Sequence, residues 1–170
     1  MFEYTPYYES IRTDEDKVAT RPELLSIHFG RLSGYRNPDW NIQKILLFEY
    51  LLLCYRKYGD KFTRTFSLIE QETRLSRNSI IKYQKMFESA GFISIHRQTT
   101  KKAGSDFMNR YSINFDHIMD SLNQIYDFEG QSEEDIAVNV EFLKERYKYI
   151  RDHPYNRDRQ NSYLEQNEDE

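Results

Sequence analysis

The chain has 170 residues, with 24 Lys and Arg against 28 Asp and Glu for a net charge of −4, and 38% of it is hydrophobic. That length holds one domain with extensions and a core that needs no staples, while the single cysteine, Cys54, excludes an internal disulfide and implies a reduced, cytoplasmic protein. No run reaches the roughly 18 uncharged apolar residues of a membrane helix, and no basic, apolar, small-residue leader stands at the N-terminus.

Residues 1–40 read as an N-terminal extension. Met1 to Pro22 is polar and aromatic, with Tyr4, Tyr7, Tyr8 and Ile11 ahead of the acidic Asp14-Glu15-Asp16. Those four side chains suit an arm that packs on something, such as a partner subunit; a disordered end is the alternative. Pro22 is well placed to open a helix to Leu32, although Ile27, Phe29 and Leu32 also suit a strand. A helix is expected there, followed by a loop from Gly34 to Pro38.

Asn41 to Tyr58 carries the strongest helical pattern. Ile42, Ile45, Leu46, Phe48, Leu52, Leu53 and Tyr55 wrap more than one face, so this helix should be central and buried on most sides. Lys61 to Phe66 alternates as a short strand. Ser67 to Thr73 forms a short helix, and the three-residue link Arg74-Leu75-Ser76 forces a steep crossing into the next helix, as in a helix-turn-helix.

That next helix is capped by Ser76 and closed by Gly91. Ile80, Tyr83, Phe87 and Ala90 form its apolar stripe. Its other face carries Arg77, Asn78, Ser79, Ile81, Lys82 and Lys85. Two strand-like runs follow, Phe92 to Arg97 and Phe107 to Phe115, around the turn-rich loop QTTKKAGSD from Gln98 to Asp106, which contains Lys101 and Lys102.

Asp116 is placed to cap a helix to about Tyr126, with Ile118, Met119, Leu122 and Ile125 inward. Gly130 breaks the chain. Ser132, with Glu133, Glu134 and Asp135 in the first turn, then opens a helix to about Arg151. Its Ile136, Val140, Leu143, Tyr147 and Ile150 make a heptad seam, which serves either as a dimerisation surface or as packing onto the chain's own domain. Residues 154–170 are polar, end in acid and are expected to be disordered.

An α-helix fits the major groove of DNA, where Asn reads adenine, Arg or Lys reads guanine and an apolar side chain touches the thymine methyl. The set from Arg77 to Lys85 has those types, with Ile81 as the methyl reader; an ordinary solvated helix face is the plainer alternative. The net charge argues against nucleic acid, but its distribution argues for it. Residues 61–110 hold ten Lys and Arg against four acids, a balance of +6, and the remainder carries −10.

The segment LSRNSIIKYQKMFESAGFISIHR, followed by a basic loop and the returning MNRYSINF, resembles the winged helix-turn-helix DNA-binding proteins, of transcriptional-regulator or plasmid and phage replication-initiator type. The resemblance covers roughly Asn41 to Phe115. It implies a mainly α fold with a small antiparallel β-hairpin wing (α+β), organised as a winged domain over 41–115 with C-terminal helices over 116–153. Arg77 to Lys85 would then enter the major groove, and Lys101 and Lys102 would reach the backbone or minor groove. Gln84 stands where such helices usually carry leucine, so either it is hydrogen-bonded at the edge of the core or the helix is rotated.

The expected function is sequence-specific binding of double-stranded DNA by a small transcriptional regulator acting as a homodimer. Ser76, Arg77, Asn78, Ser79, Ile81, Lys82 and Lys85 would face the groove, with Arg74, Arg97, Lys101, Lys102 and Arg110 on phosphate. A replication initiator or accessory protein, and a winged domain that contacts only protein, are the alternatives. No enzyme, metal or cofactor is expected: His28, His96, His117 and His153 lie far apart, no glycine-rich phosphate loop occurs, and carboxylate pairs such as Glu70/Glu72 read as surface charges.

Overall fold

The computed structural model describes residues 36–99, 104 and 106–154. The N-terminal arm, the helix expected at 22–32, the loop lysines Lys101 and Lys102, and the tail beyond Pro154 lie outside the described residues.

Helix α1 (Ile42–Tyr58) starts where the Asn41 side chain accepts a hydrogen bond from the Lys44 N–H, and it ends at Gly59. Every residue from Lys44 to Arg56 is buried. An all-round apolar helix has no face to give to water, so the other elements assemble around it. β1 (Phe62–Thr65) turns Phe62 and Arg64 inward and Thr63 outward. α2 (Phe66–Thr73) follows directly, with Thr65 as its cap. α3 (Arg77–Ser89) is capped by Ser76, whose hydroxyl accepts from the Ser79 N–H.

β2 (Ile93–His96) and β3 (Met108–Ile113) complete a three-stranded antiparallel sheet in the order β1-β3-β2. Tyr111 of the central strand lies between Phe62 and Ile95, and Arg110 between Thr63 and His96. Tyr111 thus belongs to the buried face and Arg110 to the exposed one.

The helix expected from Asp116 to Tyr126 is two short ones, α4 (Phe115–Asp120) and α5 (Leu122–Ile125), separated at Ser121 with φ −124° and ψ 28°. Asn114, not Asp116, is the cap, accepting from the His117 N–H at 3.2 Å. The break leaves Ile118, Met119, Leu122 and Ile125 all in the core, as the pattern requires.

α6 (Glu133–Asp152) begins at the expected Ser132. Its seam is used inside the protomer. Leu143, Tyr147 and Ile150 are at most 1% exposed and belong to one core with Leu46, Phe48 and Leu52 of α1, while Val140 packs at its edge and Ile136 is half-buried. Leu143, Tyr147 and Ile150, three of the five seam residues, are therefore closed to a dimer partner. The helices after residue 115 thus share one continuous core with the elements before it. The reason is the shape of α1: the sheet, α2 and α3 leave one of its apolar faces uncovered, and α6 fills it.

A buried polar cluster crosses that contact. Glu49 of α1, with a side chain 1% exposed, accepts from Arg36 through one carboxylate oxygen and from Arg146 of α6 through the other, the latter at 2.6 Å. Arg146 also donates to the Tyr126 hydroxyl at 3.0 Å, and that hydroxyl shares a 2.9 Å hydrogen bond with Tyr147. The Arg36 guanidinium lies over the Tyr126 ring, 4.8 Å from its centroid. Burial acts to lower the Arg36 pKa, but Tyr126 and Glu49 outweigh it and the net direction is upward.

Candidate nucleic-acid interface

The α2–turn–α3 unit is held by local bonds. The Thr73 hydroxyl donates to the Ile69 carbonyl at 2.6 Å and accepts from the Leu75 N–H at 3.2 Å. Leu75 is buried, so the link from α2 to α3 is anchored at its midpoint. Arg74 closes α2 in the left-handed region, φ 58°, with its N–H on the Glu70 carbonyl. A non-glycine residue there carries strain.

The far end of α3 is fixed as firmly. The Phe92 N–H reaches the Phe87 carbonyl and the Gly91 N–H the Glu88 carbonyl, both at 3.0 Å, in a Schellman arrangement with Gly91 at φ 80°. The His117 Nε2–H donates to the Ala90 carbonyl at 2.7 Å, and a Cβ built on Gly91 would come 2.9 Å from that same nitrogen. Glycine is required there by conformation and by space.

Inward, α3 buries Ile80, Tyr83, Gln84 and Phe87. Gln84 donates to the Tyr111 hydroxyl at 2.6 Å, which decides between the two options for this residue: it is hydrogen-bonded within the core. The Tyr83 hydroxyl accepts from the Asn41 side chain at 2.8 Å. Phe87 stacks on Trp40 at 5.6 Å, and Phe48 packs edge-on to both.

Outward, Asn78, Lys82 and Lys85 are exposed and Ser79 and Ile81 half-buried. Met86, on the same side, is 39% exposed. No family model, curated protein or solved structure matches the chain. The geometry therefore carries the functional argument.

The expected cations divide into two groups. Arg74, Lys82, Lys85 and Arg110 are exposed and form no ion pair with another described residue. The others are engaged. Arg64 of β1, which was not among the expected cations, is buried, donating to Glu72 at 2.6 Å and to the Tyr50 hydroxyl at 3.1 Å. Glu72 is thus not the surface charge that its spacing from Glu70 suggested, since its side chain is only 7% exposed. Cys54 lies in the same region, and burial pushes its thiol up to about 12, which leaves it inert as a nucleophile. Arg97, expected on phosphate, pairs instead with Glu88 through both guanidinium ends.

Arg77 is the largest departure from expectation. Its Nε donates to Glu70 at 2.6 Å, and its Nη2 donates to Asp106 at 2.9 Å and, more weakly, to the Ser67 hydroxyl at 3.4 Å. Asp106 in turn accepts from the Ser67 N–H and hydroxyl, both at 2.8 Å, and from the Phe107 N–H at 2.8 Å. Partial burial works against the charge on Asp106, but the Ser67 and Phe107 hydrogen bonds and the nearby Arg77 hold its carboxyl below the usual carboxylate range. Ser76, expected at the groove, is occupied as the cap, with its hydroxyl donating to Ser79 Oγ at 2.9 Å.

Sequence reasoning missed Ser67, Glu70 and Asp106 as partners of this helix. Their one signal is an arginine at the start of a helix with an acid on the helix before it, and the pairing rule for neighbours on one helix does not extend across a turn.

Proposed function

We propose that this protein is a winged helix-turn-helix protein that binds double-stranded DNA with sequence preference and acts as a small transcriptional regulator. The observation that carries the reading is α3 itself: its inner face is locked into the core over its whole length, while Asn78, Ser79, Ile81, Lys82 and Lys85 line its outer face. A rigid helix with short hydrogen-bonding groups, one apolar side chain and exposed cations matches what the major groove presents. The order helix, strand, helix, helix and two strands, with the last strand central in the sheet, accords with the winged arrangement.

In this reading Asn78 and Lys82 reach base edges, Ile81 meets a thymine methyl, and Lys85, Arg74 and Arg110 lie on phosphate. Lys101 and Lys102 belong to the loop that would follow the backbone. Binding as a homodimer to two half-sites remains part of the proposal, on a surface other than the α6 seam.

The test is a titration of labelled duplexes, the protein's own upstream DNA against a random sequence of equal length, across a salt series. A steep salt slope with preference for the upstream DNA supports a specific regulator. Steep salt dependence without preference points to a replication initiator acting at repeated origin sites, and no binding at low salt overturns the reading in favour of a protein-interaction module. Lys82→Ala should change the ranking of target sequences and cost about 1–3 kcal/mol on the preferred site, whereas Lys85→Ala should weaken all duplexes alike. An unchanged ranking in Lys82→Ala would remove Lys82 from the base readers.

A further inference from the structure

Arg77 opens α3, where a base-reading arginine would be expected, yet its guanidinium already serves two other parts of the fold. Nε holds Glu70 of α2, and Nη2 holds Asp106, the residue that ends the β2–β3 loop two positions before β3. Asp106 itself is bound by both the N–H and the hydroxyl of Ser67 in the first turn of α2. One guanidinium and one carboxylate thus join the starts of α2 and α3 to the base of the loop.

Taking Arg77 to a guanine would break this junction at both ends. It would also leave Glu70 and Asp106, two carboxylates, facing a phosphate backbone without their counter-charge, where like charges repel. Kept together, the cluster of one guanidinium and two carboxylates adds no positive charge to the surface, so its contribution to binding is geometric. The Arg77 guanidinium also lies over the Phe66 ring at 5.3 Å, which further fixes its direction.

We infer that Arg77 is a positioning residue that clamps the β2–β3 loop to the α2–α3 unit through Asp106 and Ser67, and that base choice falls to Asn78, Ser79, Ile81 and Lys82. The DNA part of this inference rests on the proposed function; the clamp does not. By fixing Asp106, the clamp holds the chain entering β3 against the starts of α2 and α3. Lysine cannot replace Arg77 in this role, because a single ammonium on a flexible stem cannot span two carboxylates in the fork geometry of a guanidinium.

The experiment has two arms on the full chain. In the first, amide hydrogen exchange is followed without DNA for the wild type, Arg77→Ala, Arg77→Lys and Asp106→Asn. The clamp predicts faster exchange at Ser67 and Phe107 in all three variants, with α1 and α6 unchanged; wild-type protection at Ser67 in Arg77→Ala would overturn it. In the second arm, the proteins are titrated with a mixed duplex library. Arg77→Ala and Asp106→Ala should each weaken binding about two- to fivefold on every sequence, the range that an exposed pair allows, with the ranking preserved and the double variant no weaker than either single one. An altered ranking in Arg77→Ala, or tighter binding when Asp106 is removed, would make Arg77 a base reader held back by its acids and would overturn the inference. If the wild type binds no duplex, the proposed function fails while the exchange arm still decides the clamp.

Discussion

Two carboxylates in this protein each hold arginine, and they do so under opposite conditions. Glu49, with a side chain 1% exposed, binds Arg36 and Arg146 in the interior and ties α1 to α6. Asp106, with a side chain 12% exposed, binds Arg77, whose side chain is 45% exposed, at the junction of α2, α3 and the β2–β3 loop. In the first case no water can replace a lost partner, so the pairing bears on stability; in the second water and salt compete, so the pairing bears on geometry.

The sharpest way to break that contrast is Glu49→Ala, which leaves the buried Arg36 without its carboxylate. A loss of about 3–5 kcal/mol in denaturant unfolding is expected. A loss below 1 kcal/mol, within the range of an exposed pair, would erase the distinction. Within the same cluster, Tyr147→Phe removes one hydroxyl and leaves Tyr126 with Arg146, so about 1 kcal/mol is expected in the same measurement.

Asp106→Asn should cost the least, under about 1 kcal/mol near neutral pH. Its pH dependence carries the sign. The folded Asp106 titrates below its usual 3.8, so its contribution is present above that value and is lost as the pH falls through the lower folded pKa. The gap between wild-type and Asp106→Asn melting temperatures should hold steady above about pH 5 and close below 3.8. A gap that widens on acidification would contradict the hydrogen-bond geometry around Ser67.

The helix-turn-helix stretch was legible because its signals are local. Ser76 and Ser132 cap helices as their spacing indicated, and Gly91 closes α3. The stripe Ile80, Tyr83, Phe87 faces the core, and the set from Arg77 to Lys85 faces away from it or lies at its edge. The single helix expected after Asp116 was wrong at its cap and its continuity, since Asn114 caps two positions earlier and Ser121 breaks the run. Both ends still satisfied the same apolar stripe, which a periodicity cannot distinguish from one unbroken helix.

Charge counting was the weaker guide. The excess of +6 over residues 61–110 includes Arg64, Arg77 and Arg97, all three bound to acids. A formal count treats every cation as open to phosphate. Which ones are open depends on partners that only the packed chain brings close.

By itself the sequence determined where α1, α3 and α6 begin and end, which of their faces are apolar, and that α1 must lie at the centre, because caps and stripes act over one or two turns of chain. Tertiary structure alone decided that α6 fills the open face of α1, that Gln84 reaches Tyr111, and that Arg77 belongs to Asp106 across 29 residues and Arg146 to Glu49 across 97. A charged side chain pairs with whatever the closed fold sets within 3 Å or so of it, and that proximity is a property of the packed core, on which spacing along the chain is silent.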